Sequence, residues 1–213
     1  MRISELSDRS GVALATIKYY LREGLLHQGE QVAATRAVYD DSHLRRLRLI
    51  RALLEIGRLP VAAIKQVIDA VEDESLPVHQ MLGTAQYALG PAVEPEPSDD
   101  WQAARAEADR LIDERGWTIA PDAPTRNELA QTLLTLRRLG MPTDLSRYAE
   151  TAGGLAAAEL ESLRLDGPRE SAVEAVVLGT VLYGRAFDAL RRLAHESESA
   201  RRLAGEDQPP AAG

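Results

Sequence analysis

Two glycines, Gly11 and Gly24, set the tightest limit on how this chain folds. Each closes a short run of helix-forming residues, and glycine supplies the left-handed turn that ends a helix. SELSDRS (4–10) therefore reads as a first helix with Ser4 as its N-cap, and ALATIKYYLRE (13–23) as a second. Two short helices joined through a glycine turn form a helix-turn-helix. After Gly24, Leu25 and Leu26 start a short strand and TRAVY (35–39) returns as its partner, which reads as a small β-wing.

The second helix carries adjacent tyrosines that cannot share a role, because neighbouring helical residues point about 100° apart. With Ile17 at 0°, Leu21 falls at about 40°, Leu14 at about 60° and Tyr20 at about 300°. Tyr19 falls near 200°, roughly opposite, with Ala15, Thr16 and Arg22 around it and Lys18 on its flank. Tyr20 is thus expected to pack inward and Tyr19 to stand out. The outer face of a second helix of this kind is the one that enters a major groove. Lysine there neutralises phosphates, and Thr and Tyr hydroxyls donate to phosphate oxygens.

Charge supports this division. The chain is acidic overall, at −8, yet residues 1–68 hold 11 Lys+Arg against 7 Asp+Glu, a net of +4, and residues 69–213 hold 14 against 26, a net of −12. A basic first third on an acidic remainder suits a nucleic-acid-facing module joined to something else. Scarce aromatics, at 4%, with abundant Ala, Leu and Arg favour helices over strands.

Past the wing, a third helix starts at an Asp41 or Ser42 cap, places Leu44, Leu47, Ile50 and Leu54 on one face with Arg45 and Arg48 opposite, and ends at Gly57. Pro60 opens a fourth, bearing Val61, Ile64, Val67, Ile68 and Val71. GPAVEPEPSDD (90–100) is a linker: four of its eleven residues are Pro or Gly and four are acids. Beyond it everything is helical. Trp101, Ala104, Ala108, Leu111 and Ile112 share a face, TRNE (125–128) reads as a capping box, and Pro168 opens a last long helix.

The run MRISELSDRSGVALATIKYYLREGLL, followed by TRAVYDDSHLRRLRLIRALLEIG, resembles the MerR family of bacterial transcription regulators over roughly residues 1–70. The resemblance implies a dimer with winged helix-turn-helix heads that binds a palindromic operator in promoter DNA, distorts it and so acts on RNA polymerase. By position it implies DNA contacts from Arg2, Thr16, Lys18, Tyr19, Thr35, Arg36 and Tyr39, although Tyr39 equally suits packing of the wing on a helix. The chain departs from the family pattern at Ala13, Ala15, Lys18 and Leu21. Lys18 in place of arginine turns a bidentate guanine contact into a point charge.

The expected architecture is mainly α. A winged helix-turn-helix domain with a small β-wing spans 1–72, a short helix and a Pro/acidic linker 73–100, an all-helical dimerisation and effector domain 101–205, and a tail 206–213. No cysteine is present, and His27, His43, His79 and His195 are scattered without ligand spacing, so neither metal nor cofactor is expected. No P-loop, GxGxxG or HExxH occurs, so no enzyme is expected either. No apolar run reaches the roughly 20 residues that span a bilayer, and the default address is the cytoplasm. Pro77, Gly90, Pro91, Pro95 and Pro97 break any heptads through 75–115, so dimer contacts shift to the C-terminal helices, above all 172–190, where a simple buried helix is the competing reading. A small apolar effector is one expectation for the helical domain. A protein-interaction module that senses no ligand is the alternative.

Overall fold

The computed structural model describes residues 1–33, 36–163 and 166–203. The expected tail, 206–213, lies outside the described residues. The first four helices and one hairpin form a winged helix-turn-helix: α1 (Ile3–Ser10), α2 (Leu14–Glu23), β1 (Glu30–Ala33), β2 (Arg36–Val38), α3 (Asp41–Arg51) and α4 (Val61–Glu72). Gly11 and Gly24 stop α1 and α2 at φ 68° and 73°, the left-handed conformation expected of them. The start of α1 differs from expectation. Arg2, not Ser4, is the N-cap, without a side-chain cap. The backbone of Met1 is tied to Tyr39, whose N–H donates to the Met1 carbonyl at 2.9 Å, and this fixes the chain one residue before the helix.

Leu25 and Leu26 are not in a strand. Their N–H groups both donate to the Tyr20 carbonyl, at 2.9 and 3.2 Å, so they finish α2, and their side chains are buried. The first strand begins at Glu30 and pairs antiparallel with β2, Glu30 opposite Val38 and Gln31 opposite Ala37. The cap of α3 is Asp40 rather than Asp41 or Ser42. Its carboxylate accepts from the Ser42 N–H at 2.9 Å, and His43 at the third helical position completes a reciprocal cap. A π-helical turn, Ala52–Ile56, follows α3. The extra residue in that turn keeps Leu53 fully buried while Leu54 is only partly covered.

Five helices follow in the described chain: α5 (Val78–Leu89), α6 (Asp99–Glu114), α7 (Pro124–Arg138), α8 (Ser146–Glu161) and α9 (Arg169–Leu203). At 12 residues, α5 is too short for a long coiled coil. A second core lies between α6 and α7, where Trp101, Ala104 and Ala108 meet Ala130, Leu133 and Leu134. The TRNE stretch is not a capping box. Ala123 is the N-cap and Pro124 the first helical residue, as proline favours, so α7 starts two residues earlier than a Thr125 cap would start it and Thr125 lies inside the first turn.

The longest helix is α9, 35 residues and so about 52 Å. Its first turns bury Ala172, Val173 and Val177 in the same core as Leu47, Ile50, Ile64, Ile68, Met81 and Ala85. The core of the head therefore extends through α5 into the last helix. Arg169 fastens this joint. Its guanidinium donates to the carbonyls of Val71 (2.9 Å), Ala70 (3.1 Å), Asp73 (2.9 Å) and Leu76 (3.1 Å), at and just past the end of α4. Buried Arg46 adds an ion pair to Glu72 at 2.7 Å, with Glu170 at 3.9 Å. Beyond residue 177 the apolar side chains of α9 turn outward. Tyr183, Leu190 and Leu193 are 59%, 62% and 61% exposed. Segment 172–190 is thus neither wholly buried nor wholly free: one end is core and the other is surface.

Candidate nucleic-acid interface

The inner face of α2 consists of Ile17, fully buried, and Tyr20, 7% exposed. That fixes which side faces out. Ala15, Lys18 and Arg22 are on the open side, and Thr16 and Tyr19 are half-covered. Tyr19 is less free than the helical wheel suggests. Its ring lies 5.8 Å from that of Tyr20, tilted by 56°, and the Arg22 guanidinium sits over it at 5.3 Å. Leu14, expected inside, is 37% exposed, because α1 and α2 meet through Leu6, Val12 and Ile17 instead.

The second part of the surface is a cleft between the start of α1 and the wing. Arg2, Ile3 and Ser4 line one side and Gln31, Arg36, Ala37 and Tyr39 the other, around about 440 Å³. Residues far apart in the chain meet here because Met1 and Tyr39 pair through their backbones. Among the described residues none of Arg2, Lys18 and Arg36 has an acidic partner within ion-pair distance. The first residues of α1, Ile3 and Ser4, line the same cleft beside the two guanidinium groups, and a helix N-terminus carries partial positive charge. Tyr39 is 7% exposed, and its ring packs against Gly29 and edge-on to His43 at 5.0 Å. It holds the wing onto α3. Thr35 lies outside the described residues.

The profile of MerR HTH family regulatory proteins matches residues 1–71. Two curated relatives are each 38% identical over 56 residues: nodulation protein NolA of Bradyrhizobium elkanii and the mercuric resistance operon regulatory protein of Bacillus cereus. Those 56 residues are 26% of this chain, and they cover 26% and 42% of the two relatives. The solved structure of SCO5550 from Streptomyces coelicolor A3(2), assigned as a transcriptional regulator, is similar over nearly everything. It is 42% identical, covering 95% of this chain and 97% of that one, with a TM-score of 0.73. This chain belongs to the MerR family.

One cluster in this MerR head is not legible in the sequence. His27 and His43, 16 residues apart, stack with ring centroids 3.9 Å apart. The His27 Nε2 lies 2.9 Å from the Ser42 hydroxyl, and the His43 Nδ1 lies 2.8 Å from the Asp40 carboxylate. Ligand atoms of His27, Asp40 and His43 fall within 4.8 Å of one another. The scattered spacing of the histidines gives no sign of such a meeting. The turn after α2 and the cap of α3 bring them together, and no periodicity signals that. The pKa of His27 is lowered, first by burial and then by the neighbouring His43 and Arg46. The hydrogen bonds from Ser42 and His43 hold Asp40 well below the usual carboxylate range, so it stays ionised as a cap. With Nδ1 engaged at Asp40 and the residue 4% exposed, the His43 Nε2 has no partner among the described residues. Among the described residues no helix is long and apolar enough to cross a membrane.

Proposed function

We propose that the protein is a dimeric, ligand-responsive regulator that binds a palindromic operator in double-stranded promoter DNA, deforms it and so alters use of the promoter by RNA polymerase. The observation that carries the DNA-binding reading is the cleft that gathers Arg2, Arg36 and the start of α1, with a separate outward Lys18 on α2, and none of these cations has an acidic partner among the described residues. Two guanidinium groups and a helix N-terminus suit a phosphate on the DNA backbone. The face of α2 with Ala15, Thr16, Lys18 and Tyr19 suits the adjacent major groove. Tyr39 contributes by holding the wing in place.

Dimerisation is best supported on the outer half of α9. Gly179, Tyr183, Ala186, Leu190, Leu193, Ser197 and Ala200 recur at alternating steps of four and three, the spacing of a coiled-coil seam, with Ser197 as its one small polar residue. Large apolar residues exposed along such a seam call for a partner, and a second α9 matches them. With α5 short and the linker broken by proline, the dimer contact falls to this helix, which contains the segment 172–190 expected to carry it.

Nuclease footprinting on promoter fragments tests the reading. A protected site with two-fold symmetry is expected, and Arg2→Ala or Arg36→Ala should weaken it while lowering the salt slope of log K by about 1 each. An asymmetric footprint, or no binding at low salt, refutes the proposal. Leu190→Glu should convert the dimer to a monomer in sedimentation, and an unchanged mass would rule out the α9 seam.

A further inference from the structure

The outward tip of α2 is apolar. Ala13, Leu14 and Ala15 are all exposed, and Leu14, which the helical wheel turns inward, is 37% open to solvent. We infer that this tip reads the 5-methyl groups of thymines in each half of the operator. The inference rests on the operator reading above and gives it a base preference.

Three observations carry it. The first is position. In a helix-turn-helix the N-terminal residues of the second helix contact the base edges, and Leu14 and Ala15 are the first two residues of α2. Helical side chains lean toward the N-terminus, so both overhang that end. The second is chemistry. Ala13 is the N-cap and makes no side-chain hydrogen bond, and the first turn of α2 holds no acid. In the same head α3 begins on a capping Asp40 with Asp41 in its first turn. The start of α2 therefore presents methyl and isobutyl groups where a polar cap is usual. Of the four bases only thymine offers an apolar group in the major groove, its C5 methyl. The donors and acceptors of the other bases would lose water against these side chains and gain no partner. The third is charge. Lys18, one turn after Leu14 on the same side, is exposed and has no acidic partner among the described residues. An apolar patch beside a cation suits a polyanion that carries methyl groups. A second copy of the same cationic face would be repelled.

Anisotropy titrations of the full-length protein on its footprinted operator, made with thymine or with deoxyuridine, test this. Deoxyuridine keeps the base pair and removes only the methyl group. Binding should weaken about fourfold for each methyl group covered, the effect of burying one CH₂-sized group. Leu14→Gln should remove most of that difference. Ala15→Gln, a good helix former at an exposed position, should do the same and serves if Leu14→Gln folds poorly. Lys18→Ala should weaken both duplexes alike and leave their ratio intact. Equal binding of the two duplexes by wild type overturns the inference. So does a ratio that both glutamine variants leave unchanged, because the methyl groups would then act through the stiffness of the DNA. A changed mass of Leu14→Gln in sedimentation would assign the tip to a protein contact and overturns it too. A symmetric footprint with no thymine preference sinks this inference alone, whereas the absence of any footprint sinks the operator reading and this inference with it.

Discussion

Replacing Arg169 by glutamine should loosen the joint between head and C-terminal helices more than any surface change. Its guanidinium meets four carbonyls, three of them in partly buried settings and the fourth, on Asp73, exposed. The carbonyls of Ala70 and Val71 belong to the last turn of α4, where no helical N–H reaches them. Counting the exposed bond as nothing and the other three at roughly 1 kcal/mol each, the loss comes to roughly 3 kcal/mol. For a chain of this length that corresponds to a fall in melting temperature of about 6–12 °C. Thermal unfolding followed by circular dichroism reads it. Arg169→Lys, which keeps a cation near the negative end of α4 but presents fewer donors over a smaller span, should fall between wild type and Arg169→Gln. A glutamine variant that melts within a degree of wild type would show that water replaces these bonds at no cost and would refute the argument.

The remaining expectations concern the head. Tyr20→Ala should cost about 3–4 kcal/mol as a large-to-small core change, whereas Lys18→Ala should leave the melting temperature alone and reduce the salt slope of operator binding by about 1; the reverse pattern would invert the faces of α2. A Cβ at Gly29 would sit 2.8 Å from the Val38 carbonyl oxygen and 3.0 Å from the Tyr39 ring, so Gly29→Ala should destabilise the wing by about 1–3 kcal/mol, and an unchanged melt would contradict this packing. His27 resists protonation in the fold, so the unfolded chain binds more protons below its ordinary pKa of 6.5. Its contribution is full above that pH and is lost as the pH falls through 6.5. Burial raises the pKa of Glu174, which acts in the opposite sense nearer its own range. Melting temperature should therefore drop between about pH 7.5 and 5.5 in wild type and drop less in His27→Gln; identical pH profiles would remove His27 from the account.

The sequence carried the local features well. The left-handed stops at Gly11 and Gly24, the buried Ile17 and Tyr20 and the outward Lys18 all follow from period and residue type. What it hid depends on long-range pairing. Leu25 and Leu26 look like strand because they are apolar and adjacent, yet the end of α2 takes their N–H groups. The Arg2–Arg36 cleft requires Met1 to lie beside Tyr39, and the His27–His43 stack requires a turn to meet a helix cap, neither of which leaves a periodic trace. Segment 172–190 showed an apolar helix but not its partition, since burial is set by what docks on each turn.

That partition also limits how the protein can be cut and recombined. The matched segment ends at residue 71, but the packing it depends on does not. A head transplanted alone would expose the faces of Ile64 and Ile68 that Met81, Ala85 and Val173 cover, and would lose the acids that face Arg46 and Arg48. A functional chimera must carry residues 78–89 and 169–178 along with the head. Lineages that exchange C-terminal domains on this scaffold are then constrained to co-vary two stretches separated by a large part of the chain.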